Sequence, residues 1–151
     1  MSHPAFRPFL VVSATLVALL CVQGDAHAEL GGVQPASSAS ASKTLLNGAL
    51  RMRTLTDSGN TTLNEYATNT GEIVAYAWEG PTMPDLRELL GRYADSYQTG
   101  VAAASADGNL HASRVARPDV IVESGGPMRG YMGRAWLPAA LPPGVSPADF
   151  Q

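Results

Sequence analysis

Cysteine is almost absent from this chain of 151 residues, whose only example, Cys21, lies in an apolar run near the N-terminus. A single cysteine excludes an intramolecular disulfide and any zinc site built from several thiolates. Beyond residue 28 the chain has no thiol at all. The folded part must therefore be held together mainly by the burial of apolar side chains.

Histidine is also scarce, because beyond residue 28 the only one is His111. One histidine without cysteine cannot supply the usual ligands of zinc, and no group of acidic residues has the spacing of an EF-hand loop. The glycine pairs Gly31–Gly32 and Gly125–Gly126 lack the lysine and the strand–turn–helix setting of a phosphate-binding loop. The sequence thus predicts no metal and no cofactor.

Positive charge is neither abundant nor concentrated: ten Lys and Arg face thirteen Asp and Glu, and the formal net charge is −3. Binding to nucleic acid or to anionic lipid favours a dense basic patch, which is missing here. Long apolar runs are missing too, since Phe9–Val22 has 14 residues, whereas a membrane-spanning helix needs about 20. We expect no nucleic-acid partner, and no membrane span once the N-terminal segment is removed.

The N-terminal segment has the three parts of a secretory signal peptide. Arg7 gives a positive charge, the apolar run follows, and Ala26–Ala28 has small residues at the two positions that a signal peptidase reads. The prediction is a signal peptide over residues 1–28, cleavage after Ala28, and an exported protein that is periplasmic or extracellular. An uncleaved anchor and a lipid-modified Cys21 are weaker alternatives, because the run is short and Leu20 precedes the cysteine.

Composition divides the rest of the chain into three parts. Residues 29–44 are rich in Gly, Ala and Ser and too poor in apolar residues to repay the entropy of ordering, so they predict a flexible leader. Residues 45–137 have the apolar patterning of a single small domain. Residues 138–151 contain four prolines and predict an extended tail that drapes over that domain.

Three strands joined by short turns are expected in the first half of the domain, over residues 49–56, 61–67 and 72–78. Asp57–Asn60 and Asn69–Gly71 have the residues typical of tight turns. The third segment alternates clearly and is apolar on both faces, which indicates a central strand. Together the three segments predict an antiparallel meander.

A helix is expected next. Pro84 fits a first helical position, with Thr82 or Met83 as the cap, and an apolar stripe continues at helical spacing as far as Gly100. Gly91 lies inside this helix and would be costly there, which indicates close packing on the sheet.

The last part of the domain predicts a mobile surface loop over residues 102–113 and two strands, over 119–123 and 129–137. The predicted fold class is α+β: an antiparallel β-sheet in the order β-β-β-α-β-β, with one amphipathic helix packed on a face.

Several stretches resemble a known family of small exported bacterial proteins, the domain-of-unknown-function family 2844. They are Leu30–Gly32, the run from Trp78 to Gly91 (WEGPTMPDLRELLG), Val122–Gly126 and Gly133–Pro138. The resemblance covers nearly the whole chain after residue 28. It implies an envelope or secreted location, and it carries over no catalytic residues.

Two weak catalytic arrangements can be considered. Ser124 with His111 could form part of a Ser-His-Asp triad, although the Gly-x-Ser-x-Gly elbow is absent, and the alternative is that Ser124 and the following glycines make a hairpin turn. Glu123 could act with another carboxylate, and Glu65 and Glu72 could face each other across a hairpin. The alternative for these carboxylates is solubility at strand edges.

Aromatic residues give a candidate binding surface. Tyr76, Trp78, Tyr131 and Trp136 lie on predicted strands that could be neighbours, and Arg134 lies close to them. Exposed aromatics and arginine are typical of recognition sites. The alternative, which the pattern favours, is that the rings form the core and that Arg134 is the exposed member of the group.

The leading functional hypothesis is a non-enzymatic binding module of the bacterial envelope with a protein partner. A small hydrolase using Ser124 with His111, or a carboxylate pair, is the first alternative, so catalysis stays open. The second alternative is a structural subunit that assembles through strand edges.

Overall fold

A computed structural model describes residues 28–35, 42–104 and 112–151. Residues 1–27 of the predicted signal peptide and the candidate His111 lie outside this description. In the described residues, no helix is both long enough and apolar enough to cross a membrane.

The domain is built on one antiparallel sheet of seven strands in the spatial order β1-β2-β3-β4-β7-β6-β5. The strands are β1 (Lys43–Leu45), β2 (Leu50–Thr56), β3 (Thr62–Thr68), β4 (Ile73–Gly80), β5 (Ala112–Ala116), β6 (Ile121–Gly125) and β7 (Tyr131–Trp136). The α+β class and the antiparallel meander are confirmed. The predicted strand count of five is too low, because β1 begins within the predicted leader over residues 29–44 and β5 begins within the predicted loop over residues 102–113.

The predicted helix lies between β4 and β5, but it is interrupted. Helix α1 (Leu86–Leu90) is followed by a 3-10 turn and then by α2 (Ala94–Ala104). The cap is Asp85 rather than Thr82 or Met83, because its carboxylate accepts hydrogen bonds from the backbone N–H groups of residues 87 and 88.

The interruption is at Gly91, whose φ of +50° and ψ of −120° strongly disfavour side chains other than hydrogen. A Cβ atom there would lie 2.0 Å from the Glu29 carboxylate. The predicted close packing is therefore present, but it involves the segment just after residue 28 and not the sheet.

That segment corrects the prediction of a flexible leader over residues 29–35, whereas residues 36–41 of the predicted leader lie outside the described residues. Leu30 is fully buried and its N–H donates to Leu89, while Gly31 and Gly32 exchange backbone hydrogen bonds with Ile73. One apolar anchor and a run of backbone hydrogen bonds thus hold a stretch whose composition alone suggested disorder.

The predicted loop over residues 102–113 is corrected at its two ends, because α2 continues to Ala104 and β5 starts at Ala112, while residues 105–111 of that prediction lie outside the described residues. Small residues are compatible with several conformations, so pairing with β6 decides the structure of β5. Close packing between Gly100 and Val115 joins α2 to this strand.

Apolar side chains pack on both faces of the sheet. On the helix face, which α1 and α2 cover, the core includes Leu63, Tyr76, Trp78, Leu89, Leu90 and Val122. On the other side, here called the tail face, Phe150 and partly buried residues from 140 to 145 pack on Leu50, Tyr66, Ala75 and Trp136. The proline-rich tail is therefore part of the core.

Gly91→Ala should lower the free energy of unfolding by roughly 1–3 kcal/mol, because the new Cβ meets Glu29 and the backbone becomes strained. Gly48→Ala is the matched control, since Gly48 also has a positive φ but no atom lies within 4 Å of its Cβ position. Urea denaturation of both variants measures the difference. Equal losses would contradict the packing role of Gly91.

Candidate functional site

A groove of about 850 Å³ lies on the tail face, next to the part of the sheet that the tail covers. Its lining includes Asn64, Ala77, Arg114, Glu123, Met132 and Arg134, and Phe150 with Gln151 contributes at one side. The residues come from five strands and the tail, so the groove exists only in the assembled sheet.

Strand register brings the polar residues of the groove together. Directly paired positions run across the sheet in one row: Asn64, Ala77, Arg134, Glu123 and Arg114. Residues opposite each other on neighbouring strands point to the same face and interact directly. The row therefore places one carboxylate between two guanidinium groups.

Glu123 binds both arginines. Its Oε1 accepts a hydrogen bond of 2.9 Å from Arg114 Nε, and its Oε2 accepts one of 2.8 Å from Arg134 Nε. Burial raises the pKa of the Glu123 carboxyl, but the hydrogen bonds and charges of Arg134 and Arg114 outweigh burial and lower the pKa overall. Glu123 is thus a carboxylate at neutral pH, which makes it a poor general acid.

Arg134 is held more firmly than Arg114. Its Nη1 donates to the Pro147 carbonyl at 2.7 Å, and its guanidinium lies 5.6 Å from the centre of the Trp136 ring. The Arg114 side chain is 59% exposed, and its ion pair with Glu123 uses Nε. Arg134 therefore has a structural role as well, whereas Arg114 presents its guanidinium to the groove.

The rest of the groove is formed by small or apolar groups. Ala77 is buried at the floor, while the Met132 side chain is half exposed. At the tail side, the Phe150 ring lies 4.9 Å from the ring of Tyr66, whose hydroxyl donates to the backbone oxygen of Gln151.

The predicted aromatic surface is divided between the two sides of the sheet. Tyr76 and Trp78 are buried on the helix face, and Trp136 is buried on the tail face. Tyr131 is partly buried at the start of β7. These positions fit the core alternative for three of the rings. Of the predicted surface, Arg134 and the buried Trp78 line the groove.

The predicted catalytic residues Ser124 and Glu123 also lie on opposite faces of the sheet. Ser124 and Glu123 are adjacent in β6, so their side chains point to opposite faces. Ser124 pairs with Gly133 inside the sheet. The hairpin turn predicted at Ser124 lies instead at residues 126–130. The Ser124–His111 arrangement stays a prediction, because His111 lies outside the described residues.

A second polar centre, which sequence reasoning missed, surrounds Glu65 on the helix face. Glu65 is fully buried. Its Oε1 accepts from Gln34 Nε2 at 2.8 Å, and its Oε2 contacts Arg53 Nη2 and the Tyr76 hydroxyl, each at 2.9 Å. The predicted Glu65–Glu72 pair is wrong, because Glu65 lies opposite Tyr76 in the register.

The Tyr76 hydroxyl also hydrogen-bonds the carbonyl oxygen of Ala28. Burial, followed by the charge of Glu65, raises the pKa of Tyr76, so the hydroxyl keeps its proton.

A signal for this centre was present in the sequence: Glu65 alternates with Leu63 and Ala67, which places a carboxylate at an inward position of β3.

Residues 26–150 match the family described as Protein of unknown function (DUF2844). The chain belongs to this family. The resemblance found in the sequence is thereby confirmed, and it spans both the groove and the Glu65 centre. No curated protein and no solved structure matches the chain.

Metal chemistry finds no support in the part of this DUF2844 chain that the structure describes. Within residues 28–35, 42–104 and 112–151, no three His, Cys, Asp or Glu side chains are grouped so that they could hold an ion. Within each of the two centres, the carboxylate is paired with arginine instead.

Glu123→Gln should reduce stability at pH 7 by about 1 kcal/mol, because it removes the charge that binds both arginines. The folded-state pKa of Glu123 is lowered, so this stabilisation is present above its ordinary pKa of 4.5 and is lost as the pH falls through the folded value. Urea denaturation from pH 7 to pH 3 should show the difference from wild type shrinking.

Arg134→Ala is the matched background for this measurement. In that variant Glu123→Gln should cost less, because one of the two cationic partners is already gone. A cost that is the same at every pH and in both backgrounds would contradict the ion-pair role.

Proposed function

We propose that the protein is an exported, non-enzymatic binding domain, and that its groove holds an extended acidic segment of another exported protein. The observation that carries the proposal is the row of Arg114, Glu123 and Arg134 beside an apolar floor. Export rests on the predicted signal peptide and on the family resemblance.

The size and lining of the groove support a binding role. Ligand sites in proteins are typically clefts of about 300–1,000 Å³ with mostly apolar walls and a few polar groups that fix orientation. The groove has this volume, at about 850 Å³, and its polar groups lie in one row. A ligand would therefore bind with a polar end over that row.

The charge of the row favours an acidic partner, although Glu79 brings the charged side chains of the whole groove to two of each sign. The row has two cations and one anion, and Arg114, at the β5 end, is the more exposed cation. Glu79, a further acidic residue of the lining, lies on the neighbouring row with Met132. We place an acidic side chain of the partner at Arg114 and an apolar one at Met132.

The protein's own tail supports a polypeptide ligand. The ring of Phe150 packs on Tyr66, and Asn64 and Tyr66 donate hydrogen bonds to the backbone oxygen of Gln151. This face of the sheet thus already holds an irregular backbone through an aromatic anchor and side-chain donors. A partner segment beside Phe150 would bind by the same physical means.

The two alternative functions, hydrolysis and assembly through strand edges, would use different groups of the protein. Hydrolysis through Glu123 is disfavoured, because both of its carboxylate oxygens bind arginine. Assembly through strand edges would use the backbones of β1 or β5, which are the outer strands of the sheet. Edge pairing would not depend on the Arg114 side chain.

A site-specific cross-link tests the proposal. A photoreactive amino acid in place of Met132 should capture a partner in the native host, and mass spectrometry should place the cross-link beside Asp or Glu. The same amino acid at Met83, which is exposed but lies outside the groove, is the control position.

Arg114→Ala should reduce the Met132 cross-link about fivefold or more, which corresponds to a loss of about 1 kcal/mol in affinity. Arg87→Ala, at an exposed position of α1 on the helix face, should leave it unchanged. A cross-link insensitive to Arg114, equal capture at Met83, or capture of a small molecule alone would contradict the proposal. Capture only of a second copy would favour the assembly alternative.

A further inference from the structure

The residues just after the predicted cleavage position are built into the fold. Glu29 to Gly32 form a tight turn, closed by a 2.8 Å hydrogen bond between the Gly32 N–H and the Glu29 carbonyl. Gly31 has a φ of +76°, which is the value that the third residue of a type II turn takes. The turn buries Leu30 and bonds both α1 and β4, so its position is closely defined.

This turn brings the peptide bond between Ala28 and Glu29 to the Glu65 centre. The Ala28 carbonyl oxygen hydrogen-bonds the Tyr76 hydroxyl, which also contacts Glu65. In a peptide bond the nitrogen lies only about 2.2 Å from the carbonyl oxygen. The backbone nitrogen of Glu29 therefore lies within about 5 Å of the same hydroxyl.

The uncleaved chain has an imperfect hydrogen-bond arrangement at this point. The Tyr76 hydroxyl has one proton but two acceptors, the Ala28 carbonyl and the Glu65 carboxylate. An ammonium group in place of the carbonyl would be a donor instead. Tyr76 could then give its proton fully to Glu65 and accept a hydrogen bond from the ammonium.

We propose that the Glu65 centre is a binding site for the chain's own new N-terminus. Signal peptidase cleavage adds water across the Ala28–Glu29 peptide bond, so that Ala28 leaves as a carboxylate and Glu29 gains a free α-amino group. That group, protonated, binds the Tyr76 hydroxyl next to the Glu65 carboxylate. The processed chain is therefore the form for which the fold is most stable.

Charge and burial are consistent with this site. Glu65 is fully buried and is paired with Arg53, while Ala28 is partly exposed, so the ammonium would lie at the boundary between the anionic centre and solvent. A hydroxyl that accepts a hydrogen bond from an ammonium becomes a stronger donor, so the Tyr76–Glu65 hydrogen bond would be strengthened. The inference goes beyond the groove and does not depend on any partner.

Chemical labelling of amines gives a direct test. Lys43 is the only lysine of the sequence, so the processed chain has just two amines, the α-amino group and an exposed Lys43 side chain. In the folded chain starting at Glu29, an acylating reagent should label the α-amino group about tenfold more slowly than in the Tyr76→Phe variant. The Lys43 rate should be equal in both.

A stability cycle gives the second readout. Chains starting at Glu29 and at Ala26 are compared by urea denaturation, each with and without Tyr76→Phe. The shorter chain should have the higher midpoint, and Tyr76→Phe should lower it more in that chain. Tyr97→Phe, a partly buried tyrosine of the same core, is the control and should act equally in both.

Three results would overturn the inference: equal labelling of the α-amino group in wild type and Tyr76→Phe, additive effects in the cycle, or host-made protein that starts at a residue other than Glu29. Neither readout involves Arg114 or Met132. Failure here is therefore distinguishable from failure of the proposed binding function.

Discussion

The whole domain depends on strand β4, which must be covered on both of its faces. Every residue from Ile73 to Trp78 is buried, and the chain beyond residue 28 has no cysteine that could replace packing by a covalent link. The helices and the segment 28–35 cover one face, and the tail covers the other. The segment 28–35 and the tail have little regular structure of their own, which is why each is held by a few specific anchors.

The groove exists because the tail covers only part of the tail face of the sheet. The tail packs over the row of Tyr66, Ala75 and Trp136, and its Pro147 carbonyl accepts a hydrogen bond from Arg134 on the next row. Beyond that row the sheet is left open. The same tail thus completes the core and sets one boundary of the candidate site, so the core and the candidate site are connected through Arg134.

Two glutamates show how location determines the role of one residue type. Glu65 is fully buried among three side-chain partners, whereas Glu123 lies in the groove between two arginines. Removing a partner from a buried carboxylate is costly, because a charge is left without compensation. Glu65 therefore acts within the fold, where Gln34 and the Tyr76 hydroxyl connect it to the segment 28–35, while Glu123 keeps two arginines in position at the surface.

By itself, the sequence determined the features that depend on local chemistry. The turn at Asp57–Asn60, the alternation of β4 and the helix after Pro84 follow from backbone preferences and periodicity, and they were sufficient for the α+β class and the family. Only the tertiary structure decided the place of β5, the burial of Leu30 and the partners of Glu65 and Glu123. Those depend on contacts between residues far apart in the chain, and side-chain preferences near one position contain no information about which distant strand will lie beside it.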